Sequence, residues 1–239
     1  MDFAVVTIDG VGHFFEPDIE YNADNEAYDA EDNGDRWSHD TGITVVRSNP
    51  AISSFDGGND IVITGIDLEN DEINIITIDG STGDRISKFT AEGTEISSPA
   101  VLVDGSNRKV FVSVYNEGNL EVYAIQGDSA ISGWTPKTIG SVVDPQDSNQ
   151  HPMLPSISIA DLTDDSGKEI LVAQPPATDS GDSQLWVFKA DGNYANGWNS
   201  AYELEGGGDI DATPAVGDID DDGDLEIVVV TWEDPGATS

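Results

Sequence analysis

The chain has 239 residues, and its 47 Asp and Glu against 9 Lys and Arg give a formal net charge of −38. That sign excludes grip on a phosphate backbone and repels an anionic membrane surface. Hydrophobic residues make up 37% and aromatics 8%, enough for a packed core, and there is no cysteine to staple or catalyse. Such acidity fits either a solvated, disordered chain or a folded one working in concentrated salt, where the Debye length falls to about 3 Å at 1 M. Regular apolar runs rich in Val, Ile and Thr favour the folded reading, and the low lysine content fits a halophile's surface. Met1-Asp2-Phe3-Ala4-Val5-Val6 has no basic leader region. Every apolar run is far shorter than the roughly 18 residues of a membrane span.

In chain order, Phe3 to Ile8 before Asp9-Gly10 reads as a strand and turn, and residues 15 to 47 read as an acidic insertion or as further strands. Four proline-headed stretches follow: Ser48-Asn49-Pro50-Ala51-Ile52, Ser97-Ser98-Pro99-Ala100-Val101, Met153-Leu154-Pro155-Ser156-Ile157 and Ala212-Thr213-Pro214-Ala215-Val216. Their prolines, at 50, 99, 155 and 214, lie 49, 56 and 59 residues apart. Each is followed by a polar turn and an apolar strand, at Ile61-Val62-Ile63, Val110-Phe111-Val112, Ile170-Leu171-Val172 and Ile227-Val228-Val229-Val230. A further strand then runs into a turn: Ile73 to Ile78, Leu120 to Ile125 and Leu185 to Lys189. Gly133-Trp134 and Gly197-Trp198 recur at one phase, so both indoles are expected in the packing between repeats.

This period predicts an all-β chain of four-stranded antiparallel blades, a β-propeller of about four blades or a piece of a larger one. Residues 1–239 form one domain on this reading, with repeats starting near 48, 97, 153 and 212. Phe3-Ala4-Val5-Val6-Thr7-Ile8-Asp9-Gly10 resembles Ile73-Asn74-Ile75-Ile76-Thr77-Ile78-Asp79-Gly80. Residues 1–14 are therefore expected to complete the last blade.

Between the first two strands of the fourth repeat stands Asp218-Ile219-Asp220-Asp221-Asp222-Gly223-Asp224-Leu225-Glu226. Oxygens at alternate positions converge when such a loop curls, the glycine allows the sharp turn, and a carboxylate at the ninth position closes the cage. Six to eight oxygens in a flexible cage suit Ca²⁺ better than Mg²⁺. A solvated acidic turn is the competing account in so acidic a chain. The third repeat carries a weaker copy, Asp161-Leu162-Thr163-Asp164-Asp165-Ser166-Gly167-Lys168-Glu169, whereas the turns of the first two repeats are shorter and no ion is expected there.

Pro214 to Val229, together with Leu185-Trp186-Val187-Phe188-Lys189-Ala190-Asp191-Gly192 and Gly197-Trp198, resembles the FG-GAP/VCBS-type repeat of integrin α-chain-like propellers. The resemblance implies a secreted or cell-surface propeller with calcium in the loops between strands one and two. It assigns as ligands Asp218, Asp220, Asp222, Asp224 and Glu226, and in the third repeat Asp161, Thr163, Asp165, Gly167 through its carbonyl, and Glu169.

His13, His39 and His151 stand in no metal-pair or nucleophile motif, and no phosphate-binding glycine loop is present, so no catalytic residue is assigned. Trp37 and Trp232 lie outside the repeat pattern and are the candidates for an exposed aromatic platform. The expected function is a non-catalytic adhesion or binding module for protein or glycan. The alternative is the propeller portion of a secreted polysaccharide-degrading enzyme, since rhamnogalacturonan-lyase-like propellers resemble this repeat too. A lyase needs a basic residue paired with carboxylates in a cleft, and with 9 Lys and Arg in the whole chain that option is thinly supplied.

Overall fold

A computed structural model describes residues 3–6, 11–15, 18–22, 27–31, 35–46, 48–55, 58–142, 154–163, 166–177, 181–204, 208–210 and 212–231, those up to residue 38 as backbone alone. Among these, every regular element is a β-strand, and the strands assort into successive antiparallel sheets. β1 (Phe3–Val6), β2 (Val11–Phe15) and β5 (Asp35–Asp40) form one sheet in that order, while β3 (Asp18–Asn22) and β4 (Ala27–Glu31) form a separate hairpin.

Sheet one is a four-stranded meander of β6 (Ala51–Ser53), β7 (Asp60–Asp67), β8 (Glu72–Asp79) and β9 (Arg85–Glu92). In sheet two the first strand is split: β10 (Glu95–Ile96) and β11 (Ala100–Asp104) pair with opposite ends of β12 (Asn107–Asn116). β12 pairs in turn with β13 (Asn119–Gln126), whose far edge takes β14 (Ser129–Ala130) and β15 (Lys137–Ser141). Sheet three runs β16 (Ser158–Ala160), β17 (Glu169–Gln174), β18 (Gln184–Lys189) and β19 (Tyr202–Glu203). A fourth sheet consists of β20 (Ala215–Gly217) and β21 (Glu226–Val228). The apolar runs of the sequence fall in β7, β12 and β17 and, for the fourth, begin in β21 and continue through Val229 and Val230, and β17 is buried along its whole length, as a strand covered on both faces must be.

Strand register, not proline, sets the repeat. Ala51 opposite Val62, Ala100 opposite Phe111, Ser158 opposite Leu171 and Ala215 opposite Val228 are equivalent pairs. Pro50, Pro99 and Pro214 directly precede these first-strand residues, but in sheet three that place belongs to Ile157, and Pro155 stands two residues earlier. Pro99, Ile157 and Pro214 are buried whereas Pro50 is exposed, so an apolar filler occupies this position in three of the four sheets and proline is one way to supply it.

The sheets stack in chain order through three apolar seams. Val62, Ile66, Ile73 and Ile75 of sheet one meet Val110, Val112, Val114 and Tyr123 of sheet two. Phe111, Leu120 and Trp134 of sheet two meet Ile170, Val172 and Phe188 of sheet three. Leu171, Ala173, Leu185 and Val187 of sheet three meet Val216, Ile227 and Val229 of sheet four. First strands are neighbours along the series, β6 beside β11, β11 beside β16 and β16 beside β20. Hydroxyls link them: Asn49 N–H donates to Ser98 Oγ at 2.8 Å, Ser156 N–H to Thr213 Oγ1 at 3.2 Å, and the Ser158 hydroxyl to the Pro214 carbonyl.

Trp134 is fully buried in the second seam, edge-on to Phe111 at 5.4 Å and to Phe188 at 5.5 Å, and its Nε1–H donates to the Ala190 carbonyl. Gly133 makes that approach possible, because a Cβ there would lie 2.4 Å from the Asp191 carbonyl oxygen and its φ is +92°. Trp198 is half-buried against the third seam. Both recurrent indoles thus serve packing between sheets.

Candidate metal centre

Antiparallel pairing of Gly217 with Glu226 fixes the two ends of the 218–226 hairpin. Between them the backbone turns left-handed at Asp221 (φ 59°) and Gly223 (φ 98°), which curls the loop so that alternate side chains face one another. Carboxylate oxygens of Asp218, Asp220 and Asp222 lie within 4.8 Å of one another. Two oxygens bound to one Ca²⁺ at about 2.3–2.6 Å are at most about 5 Å apart, so this spacing fits the ion. All three residues are exposed. Unscreened, each such pair of charges repels by about 1 kcal/mol in water at 4 Å, which a cation between them reverses.

The loop's own N–H groups hold the carboxylates. Asp218 accepts from Asp222 N–H at 3.2 Å through Oδ1 and from Gly223 N–H at 3.0 Å through Oδ2. Asp222 Oδ1 accepts from Asp224 N–H at 2.9 Å. Each carboxylate oxygen has a second lone pair, so these bonds leave room for a metal. Asp224 contributes its N–H to Asp222 and is exposed. Glu226 Oε2 accepts from Ile219 N–H at 2.8 Å, which ties the ninth position to the second.

That tie recurs, and the sequence reading had not foreseen it. In sheet three Glu169 Oε2 accepts from Leu162 N–H at 2.6 Å and from Thr163 N–H at 3.2 Å. In sheet one Asp60 Oδ2 accepts from Phe55 N–H at 2.6 Å. Asp60, Glu169 and Glu226 each open the second strand, opposite Ser53, Ala160 and Gly217. The acid therefore braces the hairpin in all three sheets, with or without a run of acids before it. Its signal in the sequence was an acid heading an otherwise apolar strand. Sheet two dispenses with the brace because Asp104 pairs directly with Asn107, leaving a two-residue turn at Gly105 (φ 57°) and Ser106.

In the third hairpin Asp161 is exposed, Thr163 is half-buried, Gly167 sits at φ 123° and Glu169 is 1% exposed. Asp165 falls outside the described residues, as do His151 and Trp232. His13 lies on β2, and Trp37 and His39 on β5. Among the described residues Asp218, Asp220 and Asp222 form the one acidic group with oxygens in ligand range. Asp79, by contrast, is taken up by a turn, where the Ser81 hydroxyl and the Ser81 and Thr82 N–H groups hold it below its ordinary carboxylate value.

A second polar feature lies at the seam of sheets two and three. Lys137 places its ammonium 4.8 Å from the Phe188 ring centre, 5.9 Å from that of Trp134 and 6.0 Å from that of Tyr194. A cation held by aromatic faces keeps its attraction in strong salt better than a surface ion pair does. The sequence matches no protein-family model and no curated protein.

Proposed function

We propose that the successive sheets are blades of a β-propeller and that the chain is a non-catalytic, calcium-binding module of the cell surface or extracellular space, working in high salt. The observation that carries this reading is the convergence of Asp218, Asp220 and Asp222 in a hairpin joining the first two strands of a repeated sheet. The ordered neighbourhood of β6, β11, β16 and β20 supports a radial arrangement with first strands innermost. Calcium joins the two strands of a hairpin that has few apolar contacts of its own, and Asp224 and Glu226 complete the ligand set as it binds. The loops at one end of the propeller then present a rigid surface to a protein or glycan ligand.

A weaker second site takes Asp161, Thr163, Asp165, Gly167 and Glu169. The net charge of −38 favours a medium in which salt screens self-repulsion. Calorimetric titration of the chain with calcium in molar salt tests the reading. Saturable binding whose tighter component Asp220→Ala removes supports it, and no heat of binding overturns it. Depolymerisation of a polysaccharide by the pure chain would replace it with the enzymatic alternative.

A further inference from the structure

We propose that the outer end of the seam between sheets two and three binds a uronic-acid residue of a glycan, Lys137 taking its carboxylate while Trp186 and Tyr194 stack on its ring. The inference rests on the reading of the chain as a non-catalytic binding module, to which it adds a ligand class and a place.

Strand register makes two seams comparable. Val62 opposite Thr77, Phe111 opposite Ala124 and Leu171 opposite Val187 are equivalent pairs. Ile75 opposite Phe89 therefore matches Val122 opposite Lys137, and Ile125 opposite Ala130 matches Phe188 opposite Tyr194. Tyr123 and Trp186 are likewise equivalent. In the first seam Phe89 packs on Tyr123 with ring centres 5.7 Å apart, and Tyr123 is left 6% exposed. The second seam places a lysine where the first has a phenyl ring. It also sets an exposed tyrosine in the place of Ala130, and its indole at Trp186 stays half-buried. An apolar closure in one seam is thus replaced in the next by a cation beside open aromatic faces.

Those faces are held in place. Trp186, Phe188 and Tyr194 lie 5.3 to 6.2 Å apart between ring centres and within 26° of parallel. Phe188 is fully buried beneath the group, whereas Tyr194 is 42% exposed. Trp186 Nε1–H donates to Gln174 Oε1 at 2.8 Å, and Gln174 Nε2 donates to the Ser141 carbonyl at 3.1 Å. Gln174 is itself 6% exposed. A Cβ at Gly140 would lie 2.7 Å from Gln174 Nε2, so glycine there leaves room for the amide that orients the indole. A surface ordered in advance loses little entropy on binding. The Lys137 ammonium stands 4.8 Å from the Phe188 ring centre, and among the described residues no carboxylate pairs with it in a chain with 47 acids.

A sugar ring presents a flat C–H face that stacks on aromatic rings, and a uronate adds one carboxylate for a charge-assisted hydrogen bond to the ammonium. At contact distance that bond survives salt, since the Debye length is still about 3 Å at 1 M. An acidic peptide has the charge without the ring face. A nucleotide has both, but its phosphate brings a second charge to a protein already at −38.

Calorimetry in molar salt with chelator tests the inference, with cellobiouronic acid as the probe and cellobiose as its neutral counterpart. The acid should bind roughly tenfold more tightly than cellobiose, as one charge-assisted bond provides. Lys137→Met keeps a stem over Phe188 and should bring the acid down to the affinity of cellobiose. Tyr194→Ala should weaken both sugars while calcium binding and far-ultraviolet circular dichroism stay unchanged. Absence of binding, equal affinity for the two sugars, or tighter binding of adenosine monophosphate overturns the inference. Failure with the sugars while calcium still titrates leaves the binding-module reading standing, whereas cleavage of a uronate-containing glycan by the chain removes that reading itself.

Discussion

The hairpins of sheets three and four share a register and a brace but differ in what surrounds them. Glu169 is 1% exposed and holds two N–H groups, while Glu226 is half-exposed and holds one. Among the described residues, sheet three is covered on both sides by neighbouring sheets and sheet four on one. Position three is Thr163 in the first hairpin and Asp220 in the second. The comparison separates two jobs that the sequence merges: an acid at the ninth position that closes the hairpin, and acids at alternate positions that gather charge. Sheet one, with Asp60 and no acid series, performs the first job alone.

The brace gives the largest expected effect. Glu169→Ala removes the carboxylate that accepts from the Leu162 and Thr163 N–H groups and should cost about 3 kcal/mol in urea unfolding already in chelator. Glu226→Ala should cost less in chelator than in calcium, and equal losses for the two variants would erase the distinction. Next comes Thr163→Asp, which gives the third hairpin the carboxylate it lacks. Calcium titration should then show tighter binding at a second site, at Kd values lower by on the order of tenfold, given about 1.4 kcal/mol per decade. An unchanged isotherm would mean that the third hairpin does not bind in the proposed manner.

The smallest effect lies away from both hairpins. Tyr123, 6% exposed in the seam of sheets one and two, has its hydroxyl pushed up to about 12 by burial first and by the Glu121 charge second. A raised pKa means that the folded state holds the proton more tightly. The resulting stability is complete below pH 10 and is lost as pH climbs from 10 through 12. Tyr123→Phe should flatten that alkaline decline in urea midpoints, and a decline of the same steepness in the variant would assign it elsewhere.

The inner strands of the sheets were legible because Ile, Val and Leu crowd them where both faces are buried, unbroken in Ile170 to Val172 and interrupted only by Asn74 and Thr77 in Ile73 to Ile78. First strands were less so: β6, β16 and β20 are three residues each, and the split β10–β11 has no counterpart in hydrophobic pattern. Proline misplaced the third repeat by two residues, since burial at Ile157 needs bulk and not a fixed φ. β3 and β4 were hidden by Asp and Glu, residues that strands disfavour, although each alternates them with Ile, Tyr or Ala. Spacing alone indicated Asp218, Asp220 and Asp222. It could not show that Glu226 is already engaged by Ile219, because a carboxylate at the ninth position looks the same whether it meets a cation or an N–H.

Thermal unfolding in molar salt, with excess calcium and then with chelator, addresses the metal directly. At calcium about 100 times Kd, one site adds roughly 2.7 kcal/mol, so the midpoint should rise clearly for the unsubstituted chain and scarcely for Asp220→Ala. Identical midpoints in calcium and chelator would contradict the account.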